Sequence, residues 1–187
     1  MGREAYRIGV RFENPQVPKE TVVEELINLG ATNTEKGKFG QVDLEIEYKE
    51  GYLEMLLYNL GEYRTLIDEA LYLKDEDKHL RSKDRPNRTI LEMRFAKANS
   101  VEMADRIVEL MRVLKDKHIV KEVGDLEKRE TIDLDDYSEF KERVKTAKEE
   151  FETWHRTVPY PIRCSEYFEI YHKLYPDEYV TEESTKK

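Results

Sequence analysis

The sequence predicts an α+β fold, either ferredoxin-like or a duplication of strand-helix-strand-strand modules, on a mixed or antiparallel sheet with C-terminal helices added. Two observations predict it. Stretches with an apolar residue at every second position alternate with stretches of helical period. The order strand-helix-strand-strand also occurs twice, over residues 1–75 and 88–135, on either side of a charged linker at 75–88. One such unit covers one sheet face with one helix, so two units must share a core. At 187 residues the chain is expected to be a single compact domain, with a helical extension over 136–180.

In the first strand Tyr6, Ile8, Val10 and Phe12 alternate with Arg7, Gly9 and Arg11. Asn14 and Pro15 stop it. Pro18 suits a first helical turn. Val22, Val23, Leu26, Ile27 and Leu29 then stripe a helix, which Gly30 ends as a left-handed cap. The next strand sets Val42, Leu44, Ile46 and Tyr48 against Asp43, Glu45 and Glu47. Lys49-Glu50-Gly51 turns into a return strand over 52–58. Its extra Leu56 marks burial on both faces or a transition. A helix is expected over 62–74 from Tyr63, Leu66, Ile67, Ala70 and Leu71. Beyond Pro86 and Asn87, Leu91, Met93 and Phe95 line a strand over 89–96. Asn99 and Glu102 have the spacing of a capping box. The helix after them is striped by Val101, Ala104, Ile107, Val108, Met111 and Leu114. A strand at 118–123 and a weaker one at 127–134 follow. Tyr137, Phe140, Val144, Ala147, Phe151 and Trp154 are spaced 3, 4, 3, 4, 3, one seam on a helix over 136–155. Val158-Pro159-Tyr160-Pro161 ends that helix. Ser165 stands where it can cap a last short helix carrying Phe168, Tyr171, Leu174 and Tyr175.

In topology this order resembles two families that duplicate such modules. One is the gyrase-inhibitor-like group of small-molecule effectors and haem-binding proteins; the other is the vicinal-oxygen-chelate fold. The chelate fold implies His and Glu ligands on strands. The strands here offer only His118, at an edge, so no residue roles are transferred.

Composition limits the function. Lys plus Arg total 32 and Asp plus Glu 41, a net charge of −9. A basic nucleic-acid binder is excluded as a description of the whole chain. No apolar run is long enough to span a membrane, and the opening residues carry no apolar leader. A cytoplasmic, folded protein is expected. Cys164 stands alone, without a partner for a disulfide or a multi-cysteine metal site. Gln is scarce while Glu and Lys abound, the direction thermophile proteins take.

No metalloprotease helix motif, nucleophile elbow, phosphate loop or dinucleotide fingerprint is present. The leading expectation is therefore a non-enzymatic binding or regulatory protein without a cofactor. Its partner would be a protein met through an acidic, Tyr-rich surface, with Trp154, Tyr160, Tyr167, Tyr171 and Tyr175 as contacts. An open sheet edge or the 136–155 seam would also serve a homodimer. The second expectation is a small-molecule sensor or carrier with its site between the two halves. A third is an enzyme using Glu152, His155, Cys164 or His172, and a fourth is nucleic-acid binding through Lys78, Arg81, Lys83, Arg85 and Arg88, five cations against Asp84 alone. Glu152 with His155, and Glu169 with His172, repeat the Glu-x-x-His spacing of carboxylate metal sites. The same spacing is ordinary on a charged helix face. Cys164, beside those histidines, is either a nucleophile or a small buried residue.

Overall fold

A computed structural model describes residues 4–36, 41–59 and 88–176. The helix expected over 62–74, the linker up to residue 87 and the tail from 177 lie outside the described residues. The elements are β1 (Ala5–Phe12), α1 (Lys19–Asn28), β2 (Thr32–Lys36), β3 (Val42–Tyr48), β4 (Gly51–Asn59), β5 (Thr89–Ala96), α2 (Met103–Asp116), β6 (Val120–Asp125), β7 (Glu130–Thr131), α3 (Ser138–Trp154) and α4 (Tyr167–Leu174). A 3-10 turn, Cys164–Glu166, leads into α4.

The strands form one open sheet in the order β2-β3-β4-β5-β1-β6-β7, and all six pairings are antiparallel. β5 and β6 therefore run parallel to each other with β1 between them, joined by α2. The two sequence halves interleave: β4 of the first pairs with β5 of the second, and β1 of the first lies between β5 and β6 of the second.

Alternation decides which face is apolar. Tyr6, Ile8 and Val10 of β1, Leu44 and Ile46 of β3, Leu53 and Met55 of β4, and Leu91 and Met93 of β5 share the main core with α1, α2 and the first half of α3. Gly30 closes α1 as expected. Its φ is +99°, and its N–H and that of Ala31 donate to Ile27 and Leu26.

At its α3 end this core holds a polar knot. Asp125 is fully buried and accepts from Tyr6 Oη at 2.7 Å, Arg143 Nε at 2.9 Å, and the N–H groups of Glu127 and Lys128 at 3.0 and 3.2 Å. Desolvation and this carboxylate together push the Tyr6 phenol well above its ordinary range.

A second, smaller core covers one end of the opposite sheet face. It joins Ala5, Ala96 and Ala98 to Phe151, Val158, Ile162, Cys164, Tyr167 and Tyr171.

Two local expectations are corrected. Asn99 does not cap α2. Its side chain instead donates to the carbonyl of Ile162 at 2.9 Å and accepts from the Ile162 N–H at 3.0 Å. A buried amide that reproduces a strand-like pair of bonds satisfies two backbone groups, which a cap would leave unmatched. Trp154 leaves the α3 seam, and His155, one residue later, turns into the second core. β2 has no counterpart among the strands that alternation predicts, because Thr32-Asn33-Thr34-Glu35-Lys36 carries no apolar residue to alternate.

Candidate functional site

The site grows out of the sheet's second face. Alternation places Arg7, Arg94, Glu54 and Glu45 there in one row across β1, β5, β4 and β3, each directly opposite the next. Like charges opposite one another repel, yet this row sets Arg7 against Arg94 and Glu54 against Glu45. Each conflict is relieved from the side. Arg94 turns to Glu54 at 3.1 Å, and Arg7 lies 3.4 Å from Glu127. Glu45 receives a cation from outside the sheet. Arg163 donates to both its carboxylate oxygens, from Nε at 2.6 Å and Nη2 at 2.8 Å. The same guanidinium lies 4.0 Å from the ring centre of Tyr52 and donates to Glu166 at 2.9 Å. The Glu45 hydrogen bonds hold Arg163 still more firmly in its charged form.

The next row is Asp43, Leu56, Glu92 and Gly9, with Gly124 beyond. The β3, β4 and β5 members of the two rows and the Arg163 segment line a cleft of about 520 Å³. Asp43, Glu45, Glu54, Glu92, Arg94, Arg163, Thr34, Gln41 and Ser165 supply its polar wall. Leu56 and Tyr58 lie in its apolar part, so the Leu56 that broke the β4 alternation faces this cleft. Among the described residues, four carboxylates and two guanidiniums line the cleft.

Cys164 closes one corner. Its N–H donates to Glu54 at 3.0 Å, while burial and the neighbouring carboxylate push its thiol far above the ordinary range. A thiol held protonated is a poor nucleophile, and the small buried residue is the reading this geometry favours.

The other candidates fall elsewhere. Tyr167 and Tyr171 are fully buried in the second core, and Tyr175 is half-buried and donates to the Thr157 carbonyl at 2.8 Å. Their rings seal the sheet end, because α4 lies on it through the face these residues share. Trp154, 81% exposed, and Tyr160, 50% exposed, remain at the surface. Glu152 pairs with Lys148 at 2.9 Å and Glu169 with Lys173 at 2.6 Å. His172 is exposed, and His155 is ringed by Phe151, Tyr167 and Tyr171. Among the described residues no group of three or more His, Cys, Asp or Glu side chains is placed to hold a metal ion. His118 is exposed in the turn before β6. Lys78, Arg81, Lys83 and Arg85 lie outside the described residues, and Arg88 precedes β5. No described helix is long and apolar enough to cross a membrane.

No local motif singles out Glu45, Glu54, Glu92, Arg94 or Arg163, and none of them is among the candidates that the sequence pattern suggests. The signal was available in part: charges on the polar side of three alternating strands must meet once those strands pair. No protein-family model, curated protein or solved structure matches the chain.

Proposed function

We propose that this protein is a non-enzymatic sensor or carrier, and that its ligand is a small organic cation held in the cleft over β3, β4 and β5. One observation carries the reading: among the described residues the cleft is lined by four carboxylates and two guanidiniums, and walled partly by apolar side chains. A half-enclosed site of lowered dielectric strengthens such attraction. The floor comes from β3 and β4 of the first half and β5 of the second, so the site spans the two halves. The split β5-α2-β6 arrangement supports the duplicated-module or ferredoxin-like reading of the scaffold.

Titration calorimetry with spermidine at low salt tests the proposal. Saturable binding is expected, weakened about tenfold by Glu92→Gln, since about 1.4 kcal/mol per lost contact is tenfold. Added salt weakens it further through screening. Absence of saturable heat, or binding indifferent to Glu92→Gln, overturns the reading.

A protein partner is the second reading, favoured by the exposure of Trp154 beside Glu149, Glu150 and Glu152 in the last turns of α3. Cross-linking of the intact protein in its own cells, with Trp154→Ser as control, tests it. An adduct that is equally abundant for the variant counts against it.

A further inference from the structure

We propose that the Glu45 end of the cleft is a guanidinium socket, filled in the free protein by Arg163 and taken over by a ligand that carries a guanidinium group. The inference deepens the cation-binding reading and rests on it.

Three features define the socket. Glu45 presents both carboxylate oxygens to one planar fork, at 2.6 and 2.8 Å. Two parallel bonds of this kind select a guanidinium over an ammonium, which offers no matching fork. Tyr52 supplies an aromatic face 4.0 Å from the guanidinium carbon, where a flat delocalised cation stacks. Glu54 stands directly opposite Glu45 on the neighbouring strand; it is held by Arg94 and the Cys164 N–H, so Glu45 is the carboxylate left for the incoming fork.

Arg163 is suited to leave. It belongs to an irregular segment, and its side chain is about one-third exposed. The segment does not depend on the guanidinium for its position. Asn99 holds Ile162 by two hydrogen bonds, and the Cys164 N–H is fixed on Glu54. A rotation about the Arg163 side-chain bonds therefore empties the socket while the backbone stays. Glu166, already 2.9 Å from Nη1, keeps the displaced charge paired.

The test compares two dications of similar length, agmatine with one guanidinium and cadaverine with none. Both are titrated into the wild type and into Arg163→Ala. In Arg163→Ala, agmatine is expected to bind at least tenfold more tightly than cadaverine. The wild type is expected to show a smaller preference, because its own arginine competes. Adding Glu45→Gln to Arg163→Ala is expected to erase the preference. Equal affinity of Arg163→Ala for the two dications overturns the socket and leaves the cation-binding reading standing. An undiminished agmatine preference in the wild type overturns the claim that Arg163 fills the site. Failure of both proteins to bind either dication overturns both readings. Circular dichroism checks that Arg163→Ala folds. If it does not, Arg163→Gln, which keeps much of the side-chain length and carries no charge, takes its place with the same expectations.

Discussion

Replacing Asp125 with Ala is expected to destabilise the protein more than replacing Tyr6, Asn99 or His155. Asp125 is fully buried and satisfies four donors: Tyr6 Oη, Arg143 Nε and two backbone N–H groups. The substitution takes the buried acceptor from Arg143 Nε, leaving that guanidinium only its Glu130 and Glu139 contacts, and it strands a desolvated phenol and two amides at the β6 turn. Removing one partner of a buried pair costs about 3–5 kcal/mol. At about 2–4 °C per kcal/mol for a chain of this size, the melting temperature falls by about 6–20 °C. Tyr6→Phe removes one hydrogen bond and costs about 1 kcal/mol. In the Asp125→Ala background Tyr6→Phe is expected to cost less, because the hydroxyl has already lost its acceptor. Chemical denaturation of the four proteins of this cycle measures both effects. A loss below about 1 kcal/mol for Asp125→Ala, or strict additivity with Tyr6→Phe, refutes the view that the knot is a coupled, desolvated network.

Three other outcomes follow from the same reasoning. His155 sits among aromatic rings with a buried Nδ1 that has no hydrogen-bond partner, and burial lowers its pKa below the ordinary value. The folded state then binds fewer protons than the unfolded state. Stability is complete above about pH 6.5 and falls as pH drops below it, by up to about 1.4 kcal/mol per pH unit; denaturation between about pH 7 and pH 5.5 reads this, and His155→Phe is expected to flatten it. Asn99→Ala unpairs the buried Ile162 N–H and carbonyl, at about 2–4 kcal/mol, and limited proteolysis is expected to cut first near residues 158–162. Gly51→Ala acts on the same contact, since φ is +156° and a Cβ there lies 2.5 Å from the Asn99 side chain. Phe151→Ala is expected to cost about 3–5 kcal/mol, whereas Trp154→Ser, at a residue 81% exposed, stays within about 0.5 kcal/mol. Equal losses for these two contradict the placement of the α3 seam.

Much of the scaffold was legible in the residue pattern. β3, β5 and α1 lie where alternation or helical spacing puts them, because each carries a regular apolar row and has a clear stop; β5 is buried on both faces, yet Leu91, Met93 and Phe95 still mark its core side. β2 was not legible, since a polar edge strand is specified by its partner β3 and not by its own residues. Trp154 was misplaced because spacing identifies a face but not where a helix outruns the core it covers. Asn99 was misread because its best partner lies 63 residues away. The cleft was missed for a related reason. Each strand shows its charges as a solvated face, and only the register brings Glu45, Glu54 and Arg94 into one row. Arg163 joins that row from the far end of the chain, at a distance that no local motif encodes.

The most direct test of the cation-binding account is a crystal structure of the protein grown with spermidine. Cation binding in the cleft requires an extended density there, with an ammonium nitrogen within hydrogen-bond distance of Glu54 or Glu92. Spermidine density found only outside the cleft, or an unchanged empty cleft at saturating spermidine, contradicts it.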